Sequence, residues 1–214
     1  MNKKIVVFDV DGTLFDTKRG IVDALNFVLT QSGMAMINTS EEDSFIGPPI
    51  KKSLMEQFKL SEEYACQLTE YYREVYVSKF IEKSVIYRNA LKVLNELKET
   101  GCVLGIATLK TQPQVDRLMN MFAIGEYFDI VLTFSECENA SKTSMLRKIR
   151  SEYANEVKEF YMVGDTQGDW KAAFDNDYHF IGADYGYGDI KYLQCTHICS
   201  IDEVIPIIMR EVFD

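Results

Sequence analysis

The segment KIVVFDVDGTLFDT, residues 4–17, opens on a short apolar run and stops abruptly at Asp9-Val10-Asp11-Gly12. Its length and β-branched content make Lys4–Phe8 a buried strand rather than a helix. Comparable runs recur at residues 102–107, 128–132, 159–163 and 179–181. Helix-period segments fill the gaps at 89–99, 112–121, 141–153 and 169–175, and 201–212 reads as a closing helix. Strands alternating with helices predict an α/β fold with right-handed crossovers and a largely parallel sheet.

Residues from about 16 to 85 break this rhythm. Lys18–Gln31 carries Ile21, Ala24, Leu25, Val28 and Leu29 at helical spacing, and 51–58 and 62–80 look helical too. No strand-like run separates them, and Gly47-Pro48-Pro49 marks a sharp turn. The reading is an all-helical insertion directly after the first strand. Its aromatic series, Tyr71, Tyr72, Tyr76 and Phe80, is assigned to packing within the insertion.

Composition narrows the function. Hydrophobic residues are 47% and charged residues 26% of the 214, which is ordinary for a globular protein. A formal net charge of −10 argues against nucleic acid or an anionic membrane as partner. A phosphorylated substrate would need local positive charge to overcome that field. No apolar stretch reaches the roughly 18 residues that span a bilayer. The N-terminal run is too short for a secretory signal, so the cytoplasm is expected. Five scattered cysteines suit reduced thiols better than a disulfide framework.

In an open α/β sheet, ligands bind outside the carboxyl ends of the strands. The first predicted strand ends in Asp9 and Asp11, and the second in Thr108 with Lys110 just beyond. Lys142 begins the helix after the third, and the fourth ends in Gly164-Asp165 with Asp169 on the next turn. Any one of these could merely cap a helix. Their convergence on one edge is much harder to assign to chance. Residues two apart in an extended segment point the same way, so Asp9 and Asp11 can face one substrate. Two carboxylates in different environments can divide nucleophilic and acid–base work on a phosphate ester. Magnesium favours oxygen ligands and takes few protein carboxylates. Asp9 and Asp165 with a backbone carbonyl would hold it, and Asp169 could ligate it or orient a bound water. Lys142 supplies a positive charge and Thr108 a hydroxyl to the phosphoryl group. His179 and His197 are expected to be structural.

These residues resemble the haloacid-dehalogenase-like hydrolase superfamily. Its motif DxDGTxxDT stands intact from Asp9 to Thr17, and GDxxxD from Gly164 to Asp169. Ala107-Thr108-Leu109-Lys110 and Lys142 are similar to its two weaker motifs. The resemblance implies a Rossmann-like core of residues 1–15 and 86–214, with a helical cap of 16–85. It further implies a nucleophile at Asp9, a general acid/base at Asp11 and Mg2+ held among Asp9, Asp11, Asp165 and Asp169. The stretches 45–50, 72–74 and 182–188 are similar to the phosphoglycolate phosphatase branch. Tyr87-Arg88-Asn89 stands where such relatives carry Tyr-Pro-Gly, and Asn176-Asp177 where Asn-Gly is common. Substrate contacts are expected from Thr108, Lys110 and Lys142, and from Gly47, Pro48 and Arg73 of the cap.

The resulting expectation is a magnesium-dependent phosphatase of a small phosphorylated metabolite. A phosphomutase, or a nucleoside monophosphate or pyrophosphate phosphatase, is the alternative within the same chemistry. A dehalogenase would need neither Asp11 nor a metal cluster. A non-catalytic phosphate binder should have lost the nucleophile or a metal ligand, and the chain has lost none.

Overall fold

The structure, a computed structural model, describes residues 3–134 and 141–210. In chain order its elements are β1 (Lys4–Phe8), β2 (Phe15–Asp16), α1 (Lys18–Gln31), α2 (Ile50–Phe58), α3 (Glu62–Val75), β3 (Val85–Ile86), α4 (Ala90–Glu99) and β4 (Val103–Thr111). They continue with α5 (Gln112–Phe122), β5 (Ile130–Phe134), α6 (Lys142–Tyr153), β6 (Glu159–Gly164), α7 (Gln167–Phe174), β7 (His179–Ala183), β8 (Thr196–Ile198) and α8 (Val204–Met209).

β1 sends Val6 and Phe8 into one apolar cluster and Ile5 and Val7 into another. A strand buried on both faces has no polar alternation, which is why it reads as a continuous apolar run. Each large side chain buried there contributes about 1.5–3 kcal/mol. The first cluster continues into α4 through Val93, Leu94 and Leu97, and into the helices of the insertion. The second is closed by Met145, Leu146 and Ile149 of α6 and Ala172 and Ala173 of α7. The sheet is parallel throughout, in the order β5-β4-β1-β6-β7-β8. The order reverses at β1, so the crevice beyond its carboxyl end lies between the connections that follow β4 and β6.

Three helices that leave this edge begin with a reciprocal capping box: Thr111 with Gln114, Ser141 with Ser144, and Thr166 with Asp169. Each box satisfies amide groups that a helix start leaves unpaired, and so fixes where the first turn begins.

Several elements differ from the sequence expectation. β4 runs on through Thr108 and Lys110 to Thr111, with a register shift against β5 after Ala107. The insertion is entered and left through a two-stranded antiparallel ribbon, β2 with β3, pairing Phe15 with Ile86 and Asp16 with Val85. Two-residue strands are too short to show any alternation. The expected helix 62–80 changes at Tyr76 into a π-helical segment, Tyr76–Phe80. Within the aromatic series, Tyr72 stacks on Tyr76 at 5.7 Å and Phe80 packs against Phe27 at 5.9 Å, whereas Tyr71 is exposed. β8 was not expected, being only three residues long. The closing helix is a 3-10 turn, Ile201–Glu203, followed by α8, and its last expected residues lie outside those described.

The two departures from the family pattern have one physical explanation. Asn89 and Asp177 both adopt left-handed backbone, with φ of 69° and 53°. Asparagine and aspartate enter that region more easily than other side chains, so each takes a position that suits glycine. Cys66, Cys102, Cys195 and Cys199 are free thiols, and Cys137 lies outside the described residues.

Candidate active site

β1 delivers Asp9 to the crevice, where its backbone N–H donates to Val163 O of β6 at 3.0 Å. The chain then turns sharply through Gly12, whose φ is 72° and whose N–H donates to Phe15 O at 2.9 Å. A Cβ at Gly12 would lie 2.1 Å from Asp165 Oδ2, so only glycine allows the turn to pass the second acidic strand end. Asp9 and Asp11 thereby face different neighbours. Asp9 Oδ2 lies 2.6 Å from Lys142 Nζ, whereas Asp11 Oδ1 receives Thr17 Oγ1 and, at 3.0 Å, Lys110 Nζ.

β6 and α7 contribute the second acidic pair. Asp169 is fully engaged: Oδ2 accepts from Thr166 N at 3.0 Å and Thr166 Oγ1 at 2.6 Å, and Oδ1 accepts from Lys142 Nζ. Lys142 is thus clamped between Asp9 and Asp169. Asp165 Oδ2 accepts from the backbone N–H groups of Tyr187 at 2.8 Å and Gly188 at 3.4 Å, and Oδ1 from Thr13 Oγ1 at 3.4 Å. The glycines of this loop are required by contact, because a Cβ at Gly186 would meet Asp165 Cβ at 2.2 Å.

Asp9, Asp165 and Asp169 are all buried, and one carboxylate oxygen from each lies within 4.8 Å of the others. Asp9 Oδ1 is the one buried side-chain oxygen or nitrogen among the described residues without a hydrogen-bond partner. Burial pushes the Asp9 carboxyl up to about 6; Lys142 opposes the rise, and the charges of Asp169 and Asp11 add to it. Burial likewise raises Asp165 to about 7, helped by Asp169 and Asp9. Burial alone would lower Lys142, but Asp169 and Asp9 outweigh it and hold the ammonium above its ordinary value. Three crowded carboxyls, one lysine and an orphaned oxygen describe a site short of positive charge. An oxygen-seeking divalent cation fits this set.

Thr108 is buried, and its hydroxyl oxygen accepts from Lys110 N at 3.3 Å. Lys110, expected to bind substrate, lies 3.0 Å from Asp11 Oδ1 and 3.3 Å from Tyr76 Oη. The Gly47-Pro48-Pro49 turn lines two cavities. One, about 500 Å³, is lined by Asp11 and Lys110 together with Tyr72, Arg73 and Phe134. The other, about 530 Å³, is lined by Lys142, Thr166 and Gln167 among others. A Cβ on Gly47 would stand 3.1 Å from Thr166 Cγ2, so the turn reaches the start of α7. Arg73 is half-buried, stacks its guanidinium 5.6 Å from the centre of the Phe134 ring and pairs with Glu70.

Sequence reasoning assigned Tyr76 to packing within the insertion and gave Thr13, Thr17 and Tyr187 no site role, yet all four touch the acidic residues or their lysines. Thr13 and Thr17 stand inside the first motif and were open to notice. Tyr187 acts on Asp165 through its backbone, which no side-chain pattern reveals.

His197 lies in β8, with Nδ1 2.8 Å from Asp184 Oδ1 and Nε2 2.9 Å from Leu193 O, away from the acidic cluster. No helix among the described residues is long and apolar enough to cross a membrane.

Known proteins match this chain along most of its length. A family model described as haloacid dehalogenase-like hydrolase matches residues 6–183. A 5'-nucleotidase from Pseudomonas aeruginosa is 26% identical over 200 residues, covering 91% of this chain and 90% of its own. A phosphoglycolate phosphatase from Agrobacterium fabrum is 25% identical over 207 residues, covering 93% and 88%. Other relatives carry the names pyrophosphatase and tyrosine-protein kinase. A crystal structure titled as a predicted phosphatase from Clostridium acetobutylicum superposes with a TM-score of 0.87 at 28% identity, over 97% of this chain and 99% of that one. The parallel sheet, the acidic strand ends and these matches lead to one assignment: the chain belongs to the haloacid dehalogenase-like hydrolase family and is a hydrolase with phosphatase relatives.

Proposed function

We propose that the protein is a magnesium-dependent phosphatase of a small phosphate monoester that works through an aspartyl-phosphate at Asp9. The observation that carries this reading is Asp9 itself. It is a buried carboxylate at the sheet's switch point, held through one oxygen by Lys142 and orphaned at the other.

In the proposed reaction an Asp9 oxygen attacks phosphorus and the bond to the leaving oxygen breaks. Asp11 gives that oxygen its proton. Asp11, now ionised, takes a proton from water as the water attacks phosphorus. The bond to Asp9 then breaks and inorganic phosphate leaves. Lys142 and the Thr108 hydroxyl face the phosphoryl oxygens, where negative charge gathers. Asp9 and Asp165, with the Asp11 carbonyl, would hold Mg2+, and Asp169 would hold Lys142 while orienting a bound water. When bound, the cation offsets the negative charge that keeps carboxylate and phosphoryl group apart.

Residues 16–85 are proposed as the cap that covers the leaving group, and residues 1–15 with 86–214 as the catalytic core. Gly47, Pro48 and Arg73 are the proposed substrate contacts of the cap. The cytoplasm is the proposed location. The relatives' names divide among nucleotide, phosphoglycolate and pyrophosphate substrates, so the substrate is left at the level of a small phosphorylated metabolite.

The test is phosphate release across a panel of small phosphate esters, with and without chelator. Release from some esters, abolished by chelation and restored by magnesium, is the expected result. Full activity in excess chelator contradicts the reading, and label retained within a sugar phosphate would mark a mutase instead.

A further inference from the structure

Lys110 stands in a line of contacts that runs from the helical insertion to Asp11. Its side chain is only 4% exposed. The ammonium lies 3.0 Å from Asp11 Oδ1 and 3.3 Å from Tyr76 Oη, and sits 4.6 Å from the centre of the Tyr76 ring. Tyr76 is itself buried in the π-helical segment, and its hydroxyl lies 3.3 Å from Ser84 Oγ. Thr17, at the start of α1, donates to the same oxygen of Asp11. Two donors therefore meet on Oδ1, one from the core strand β4 and one from the entrance of the insertion.

We propose that Lys110, braced by Tyr76, is a positioning residue that fixes the Asp11 carboxyl with Oδ2 turned to the cavity, and is not a substrate ligand. The proposal rests on the acid–base role given to Asp11 above. An aspartate side chain has two free torsions, and two donors on one oxygen remove both. A proton donor must reach its target within hydrogen-bond distance, and an error of about 1 Å costs on the order of a hundredfold. Lys110 has almost no exposed surface, and its ammonium is already engaged by Asp11 Oδ1, Tyr76 Oη and the face of the Tyr76 ring. It has little left to offer an incoming anion. Because Tyr76 and Thr17 belong to the insertion while Lys110 belongs to the core, Asp11 is correctly placed only when the insertion is packed against β4.

The experiment compares kcat/KM of the magnesium-loaded enzyme over phosphate monoesters ranging from alkyl to dinitrophenyl leaving groups. This ratio reports steps up to departure of the leaving group, where only poor leaving groups need a proton. Lys110→Met should lose on the order of a hundredfold on alkyl esters and less than about threefold on the dinitrophenyl ester. Tyr76→Phe, which keeps the ring and removes the hydroxyl, should tilt the series in the same direction by about tenfold. Asp11→Asn sets the limiting tilt. A parallel loss on every ester in Lys110→Met would overturn the proposal, since a phosphate ligand or a purely structural lysine gives that pattern. If Lys110→Met does not fold, Tyr76→Phe decides, and an untilted series there overturns the proposal. If Asp11→Asn itself leaves the series untilted, the acid–base reading of Asp11 fails first, and the two failures are told apart.

Discussion

Asp9 and Asp11 are separated by a single residue yet live in different electrostatic surroundings. Asp9 shares Lys142 with Asp169, while Asp11 receives Thr17 and Lys110, which also reaches Tyr76. Sequence spacing placed both at the strand end but could not say which lysine each would meet, because Lys110 and Lys142 come from elements far along the chain. The raised carboxyls of Asp9 and Asp165, near 6 and 7, have a consequence for stability. Their folded values lie above the ordinary 3.8, so between those limits the folded protein holds more protons than the unfolded chain. Their stabilising contribution is complete below pH 3.8 and is lost progressively as pH rises to about 6 and 7. Metal-free protein should therefore carry this deficit in full at pH near 8 and only part of it near 5.5. Calorimetry should find that magnesium raises the unfolding temperature more at the higher pH, and Asp165→Asn should shrink that difference. An equal magnesium effect at both values would count against the carboxylate set.

At the level of elements, the legible parts were those long enough to carry a period. β1, β6 and the helices α1, α4 and α5 were readable within a residue or two, since burial on one or both faces imposes the pattern. β2, β3 and β8 were not, because two or three residues have no period and their pairing is set by distant chain. The π-helical segment was hidden because its side chains continue the helical spacing of α3. The Gly47-Pro48-Pro49 turn was readable as a break but not as a lining shared by two cavities. That placement yields an element-scale prediction. In the proposed reaction the core would offer the phosphoryl group a surface common to every ester, and discrimination should then arise from the turn. Replacing Pro48 and Ile50 together should reorder kcat/KM across natural phosphate esters and change p-nitrophenyl phosphate hydrolysis far less. A uniform loss on all substrates would mean that the turn supports closure or folding, and that specificity lies elsewhere.

For the whole molecule, the net charge of −10 and a phosphorylated substrate are reconciled only locally. The sheet gathers Lys142 and the start of α7 at one end of β1, beside an acidic cluster that a divalent cation would offset. Family membership follows from the chain's length-wide match and from its fold. The chemistry proposed here turns on one atom pair, Asp9 and phosphorus, and that bond can be sought directly. A single turnover of the magnesium-loaded enzyme on a radiolabelled phosphate ester, quenched in acid and mapped by peptide, should place the phosphoryl label on the peptide containing Asp9. Asp9→Asn should carry no label and keep less than about a hundredth of kcat while remaining folded. Product release at the full rate with no label on that peptide, or a label on another residue, would contradict the account.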